Sequence, residues 1–173
     1  MMATGRGLSS ARLVDFGASV LHAVGVPIAD ARLVAHSLVE ADLWGHRSHG
    51  MLRLSWYVGR LQSGAMRAVT EPETVVDGGA VAVLDGRDGV GQVLAMRAMR
   101  EAIECARRRR RRRAHSNHFG TAAYFTRVAA SEGKIGILTT HGSPAMAPWG
   151  DARRPWGPTR GRLRRRQGVT TSR

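Results

Sequence analysis

A chain of 173 residues suffices for one ordinary domain, or a small domain with an appendage, and for a sizeable buried core. Its net charge of +14 at pH 7 is local: residues 1–106 set ten arginines against eleven carboxylates, and the excess lies in Arg107–Arg113 and in residues 151–173. The single cysteine, Cys105, excludes an intrachain disulfide, no stretch approaches the roughly 18 apolar residues that span a bilayer, and a soluble, cytoplasmic chain is expected.

From Ser10 to about Val24, the residues Leu13, Val14, Val20, Leu21 and Val24 recur at helical spacing, and Gly25 with Pro27 ends the run. A second helix is predicted with Asp30 as its N-cap and Leu33, Val34, Leu38 and Leu43 as its buried stripe. The loop WGHRSHG leads into a third helix over about 49–61, which ends near Gly64. Beyond Thr70 the runs TVV and AVAVLDG, separated by glycines, predict strands. GRDGVGQ does not fit G-x-G-x-x-G and reads as a strand-to-helix turn. The clearest helix covers 89–107, with Val90, Val93, Leu94, Met99, Ala102 and Ile103 on one face; a helix over 120–132 and a strand KIGILTT over 134–140 follow. The stretch 151–173 has almost no apolar periodicity, and its Arg, Gly, Pro, Ser and Thr content predicts disorder.

Two segments carry candidate chemistry. In HRSHGMLRLSWYVGRL, Ser48 is placed to cap the third helix, His49 falls in its first turn, and Arg53 lies four positions later on the same face. That pair suits a substrate with a carboxylate beside a hydroxyl or carbonyl. Arg53 can hold the carboxylate by two parallel hydrogen bonds, and His49, with both protonation states accessible near neutral pH, can exchange a proton with the neighbouring oxygen. A solvated helix face is the competing reading. His46 raises a metal site as well, but no nearby carboxylate or cysteine completes it, and no metal is expected. Tyr57, one turn further along, either lines the pocket or packs. In the second segment, SNHFG stands directly before a predicted helix, whose first N–H groups attract phosphate, while Gly120 allows close approach of a ligand. An ordinary N-cap at Asn117 or Ser116 is the alternative.

Taken in order, ADLWGHRSHGMLRLSWYVGRLQSG, AVLDGRDGVGQVLAMRAMREAIECAR and SNHFGTAAYFTRVAASEGKIGILTTHGSPAMAPWG resemble the malate/L-lactate dehydrogenase family of NAD(P)-dependent 2-hydroxyacid oxidoreductases, which includes ureidoglycolate and sulfolactate dehydrogenases. The resemblance covers roughly 10–106 and 115–150. It implies an α/β fold, with a helical N-terminal section over 1–68 carrying the substrate and proton-transfer residues and a partial non-Rossmann NAD(P)-binding section over 69–150; composition adds the disordered Arg-rich tail over 151–173. It also implies that His49 is the proton donor or acceptor, with Ser48 in its relay, and that Arg53 binds the substrate carboxylate. His118, Phe119, Gly120, Thr121 and Ala122 would line NAD or NADP, with His118 as the second candidate for catalytic acid/base. The implied partner is a small-molecule carboxylate, with no specific nucleic acid and no membrane; the intact family implies a homodimer.

Two departures stand out. Family chains carry a short apolar strand where Arg107–Arg113 stand here. A buried strand would place about half of those guanidiniums in the core at several kcal/mol per unpaired ion, so the run is expected to extend the preceding helix into solvent or to form a loop. Family chains also continue well beyond PWG, so the resemblance implies a truncated chain. The fifteen arginines of 107–113 and 151–173 support an alternative function, non-specific Arg-rich nucleic-acid binding by counterion release.

Overall fold

The computed structural model describes residues 7–78, 81–104, 116–140 and the backbone of 110–114. Residues up to Leu138 belong to one compact unit. Its first layer is helical: α1 (Ser10–Ala23), α2 (Ile28–Leu43) and α3 (Leu54–Gln62), with single 3-10 turns at Arg47–His49 and Met51–Arg53 leading into α3. A sheet of β1 (Glu73–Asp77), β2 (Val81–Asp85) and β3 (Arg110–Ala114) follows, with α4 (Gly91–Glu104) between β2 and β3 and α5 (Ala122–Ser131) after β3. The strand order is β1-β2-β3; β1 and β2 pair antiparallel, and β2 pairs parallel with β3 across the α4 crossover. This is the helical section plus α/β section expected from the sequence. The predicted disorder of 151–173 lies outside the described residues.

The main core joins both halves. Leu21 of α1, Val34 and Leu38 of α2, Tyr57 of α3, Met66 and Val90 are buried together. A second cluster places Ala95, Met96 and Met99 of α4 against Phe119, Phe125 and Ala129. Through α4 the segment carrying His118 is thereby held against α2 and α3.

Several local expectations are corrected. The cap of α2 is Pro27, whose carbonyl accepts the Ala31 N–H at 2.8 Å, so Asp30 falls within the first turn, where its carboxylate faces the positive end of the helix dipole. Leu43 is 65% exposed and leaves the buried stripe. The third helix starts five residues later than its pattern suggests. Gly50 is extended (φ −90°, ψ −157°) and the Asp42 carboxylate accepts the Met51 N–H at 2.8 Å, which divides 47–53 into two tight turns. A side chain at position 50 would strike that carboxylate. KIGILTT forms no strand: Ile135 and Ile137 are 93% and 83% exposed, and among the described residues no ladder reaches the segment.

The arginine run is also corrected. Arg110–Arg113 and Ala114 form β3, in register with Val81–Asp85 of β2. The expectation of a helix extension or loop weighed side-chain desolvation alone. The open edge of β2 satisfies the backbone N–H and C=O groups of whatever sequence pairs with it, and that contribution decides the local conformation. No helix among the described residues is long and apolar enough to cross a membrane.

Candidate active site

The two candidate segments meet, although not as one helix face. His49 closes the first 3-10 turn and Arg53 caps α3 without a side-chain cap bond, so their proximity comes from the double turn at 47–53. Arg53 Nε donates to the Ser48 carbonyl at 2.7 Å, and Ser48 Oγ lies 3.0 Å from His49 Nδ1. Ser48 is therefore not a helix cap. Its carbonyl orients the guanidinium and its hydroxyl lies in hydrogen-bond reach of the imidazole.

His118 arrives from the other side of the chain. Its ring stacks on that of His49 with centroids 5.5 Å apart and planes 26° apart, and Trp56 packs edge-on against it at 5.7 Å. The Trp56 ring also carries the Arg53 and Arg60 guanidiniums, 5.9 and 5.0 Å from its centroid. Below this layer Tyr57 Oη is 2.6 Å from His118 Nδ1, and Gln92 Nε2 donates to Tyr57 Oη at 2.6 Å. Burial raises the Tyr57 phenol above its ordinary range, so it keeps its proton.

The loop holding His118 is latched at its base. Asn117 Oδ1 accepts from Arg60 at 2.8 Å, and Asn117 Nδ2 donates to the Asp88 and Gly89 carbonyls at 2.8 and 3.3 Å. Gly91, the first residue of α4, permits the close approach: a Cβ there would collide with the backbone carbonyls of Asn117 and His118. Asn117 is thus not the helix cap but the pin of the loop. Thr121 caps α5 without a side-chain bond, with its Oγ1 3.5 Å from His46 Nδ1.

Burial lowers the proton affinity of both histidines, and nearby cations add to it. His118 is pushed down to about 4 by burial, then by His49 and Arg53; His49 is lowered by burial, then by Arg53 and His46. Both rings are therefore neutral at pH 7. His118 resists protonation more strongly.

The remaining predicted residues divide. Gly120, with φ +80°, turns the chain into α5, and Thr121 and Ala122 open that helix; their N–H groups lie at or next to a helix start, which leaves donors for an anion. The Phe119 side chain instead packs on Phe125, with ring centroids 5.8 Å apart. Sequence reasoning missed Gln92, Arg60 and Gly91. Only Gln92 left a signal, as a polar residue in an otherwise apolar helix start, GVGQVLAM. No cluster of three His, Cys, Asp or Glu suited to a metal occurs among the described residues.

The family model described as malate/L-lactate dehydrogenase matches residues 8–159. The chain is 41% identical over 145 residues to a malate dehydrogenase of Pyrococcus abyssi, covering 82% of this chain and 40% of that protein. It is 33% identical over 142 residues to a (2R)-3-sulfolactate dehydrogenase (NADP(+)) of Chromohalobacter salexigens, covering 80% of this chain and 42% of that one. Its fold superposes on the malate dehydrogenase of Pyrococcus horikoshii with a TM-score of 0.69 at 38% identity, over 73% of this chain and 37% of the other. The chain spans about two fifths of the length of these curated relatives.

Proposed function

The chain belongs to the malate/L-lactate dehydrogenase family, and from that membership we propose that the site around His49 serves hydride transfer between NAD or NADP and a 2-hydroxyacid or related small carboxylate. The observation that carries the reading is the shared anchor at Ser48, whose carbonyl holds Arg53 and whose hydroxyl meets His49. One residue thereby sets the spacing between a carboxylate-binding fork and a proton-exchanging ring.

Each group has a role that its surroundings support. The Arg53 Nε–H is committed to Ser48, so the guanidinium is oriented before substrate arrives and its two terminal nitrogens present the fork a carboxylate takes. His49 takes the proton from the substrate hydroxyl in oxidation and returns it in reduction; its lowered proton affinity keeps it unprotonated, and so a competent base, at neutral pH. His118 lies against it as a second polar ring. The donors at the start of α5, with Gly120 and Thr121, fit a cofactor phosphate, and the nicotinamide ring, when bound, supplies the site that accepts or gives hydride. Residues 1–68 then contribute the substrate side and 69–150 the cofactor side.

The test is turnover followed by NAD(P)H absorbance with malate, lactate, sulfolactate and ureidoglycolate, beside NAD(P)H binding measured by fluorescence. Turnover that falls at least about 100-fold in His49→Ala supports the reading. An unaltered rate in that variant, or neither binding nor turnover in the parent chain, overturns it.

A further inference from the structure

Gln92 and Tyr57 are both fully buried, and their hydrogen bonds run in one direction. Gln92 Nε2 donates to Tyr57 Oη at 2.6 Å. A phenol that accepts this bond keeps its own hydrogen to give, and His118 Nδ1, at 2.6 Å, lies much nearer than the His118 carbonyl at 3.5 Å. The Gly120 N–H addresses the same ring nitrogen at 3.4 Å. A neutral imidazole has one acceptor nitrogen and one donor nitrogen. Two donors aimed at Nδ1 make it the acceptor and leave the proton on Nε2.

The reverse chain deserves a direct comparison, because Gln92 Oε1 is buried without a hydrogen-bond partner. Turning the amide over would let Tyr57 donate to Oε1 and accept from a protonated Nδ1. That arrangement would set the Gly120 N–H against an Nδ1–H, donor against donor. The Gly120 amide belongs to backbone whose φ is +80°, and it cannot turn away as a side chain can. The backbone therefore breaks the tie in favour of the forward direction.

We propose that Gln92 and Tyr57 are positioning residues that hold His118 as the neutral Nε2–H tautomer, making it a fixed hydrogen-bond donor and leaving proton exchange to His49. The use of that donor toward a substrate or cofactor oxygen rests on the dehydrogenase reading; the tautomer itself does not. Neither residue is reached by solvent, so both act through His118 rather than on a ligand.

The experiment is histidine-selective nitrogen labelling of the full chain and two-bond proton–nitrogen correlation spectra at neutral pH, with His118→Gln identifying the resonance. The wild type is expected to show protonated Nε2 and bare Nδ1. Tyr57→Phe, which removes the main donor to Nδ1 with little change of shape, is expected to give a mixture of tautomers. Gln92→Glu, whose carboxylate only accepts, is expected to reverse the chain and move the proton to Nδ1. A wild-type ring protonated at Nδ1 overturns the proposal, as does a tautomer unchanged in both variants. The wild-type spectrum decides the direction even if a variant fails to fold. No cofactor or substrate enters the measurement, so a chain without dehydrogenase turnover would refute the functional reading and leave this result standing.

Discussion

His49 and His118 stack with their ring centroids 5.5 Å apart, although 69 positions separate them in the chain. Two imidazoles in that contact cannot both take up a proton without mutual repulsion, and Arg53 adds a permanent positive charge beside them. Replacing His49 by Ala removes one of these opposing groups and opens the pocket to water. The proton affinity of His118 is expected to rise from about 4 toward the ordinary histidine value, as read from its ring proton shifts across a pH titration. An unchanged or lowered midpoint would contradict the stacking account.

The same depression has a consequence for stability. The unfolded chain protonates this histidine near pH 6.5, while the folded chain does so only near 4. Between those values the unfolded state binds more protons, so His118 makes stability fall as pH drops from about 6.5 to about 4, with no further change above that window. The effect is on the order of 1–3 kcal/mol after discounting for the part of the ring that solvent reaches. Urea unfolding of wild type and His118→Gln at about pH 7 and about pH 4.5 isolates it: the wild type should lose more on acidification, and equal losses would refute it.

Arg53→Lys keeps the charge and loses the fork. An ammonium cannot hold the Ser48 carbonyl and also present two parallel donors to a carboxylate. In a chain with turnover, substrate KM should rise about 10- to 100-fold, or roughly 1.4–2.8 kcal/mol, with a smaller change in kcat. A KM within about twofold of wild type would remove Arg53 from the substrate side.

Gly91→Ala probes the loop from below. The added methyl meets main-chain carbonyls of Asn117 and His118 rather than a flexible side chain, so α4 or the loop must shift. A loss of about 1–3 kcal/mol is expected, read as a lower melting temperature with α-helical content retained. No loss would mean that the loop is not pressed on α4.

Asn117→Ala cuts the bond to Arg60 and both bonds to Asp88 and Gly89. Because the bonds to Arg60 and Gly89 are partly buried, a cost of about 1–3 kcal/mol is expected. Amide exchange at Gly120 should quicken more than exchange within α1, which does not touch the latch. Uniform quickening throughout would indicate general destabilisation instead.

Much was legible without coordinates. Helical spacing from Leu13 to Val24 located α1, the valine runs located β1 and β2, and the three quoted segments taken in order pointed to the family that the comparisons show. His49, Arg53 and Tyr57 were visible as neighbours, but on the assumption of an unbroken helix, which Gly50 and the Asp42 carboxylate prevent. Strand formation by Arg110–Ala114 was hidden because side-chain cost dominates a linear reading and the free edge of β2 does not enter it.

Periodicity reports which face of a local element is apolar, since helix and strand repeats are fixed by backbone geometry, and so the amino-acid sequence alone placed α1, α2, α4, β1 and β2, while the quoted segments carried the kinship. Tertiary structure alone decided that Gln92, Tyr57 and His118 form one hydrogen-bonded line, that Asn117 is a pin, and that Ser48 serves two partners. The Ser48 bonds span one and five positions and rest on the double turn at 47–53, but the bonds of the line and of the pin to Arg60 join α3, α4 and the loop before α5 across separations of 35 to 61 residues. Their lengths depend on how the helices pack, and no local repeat carries that information.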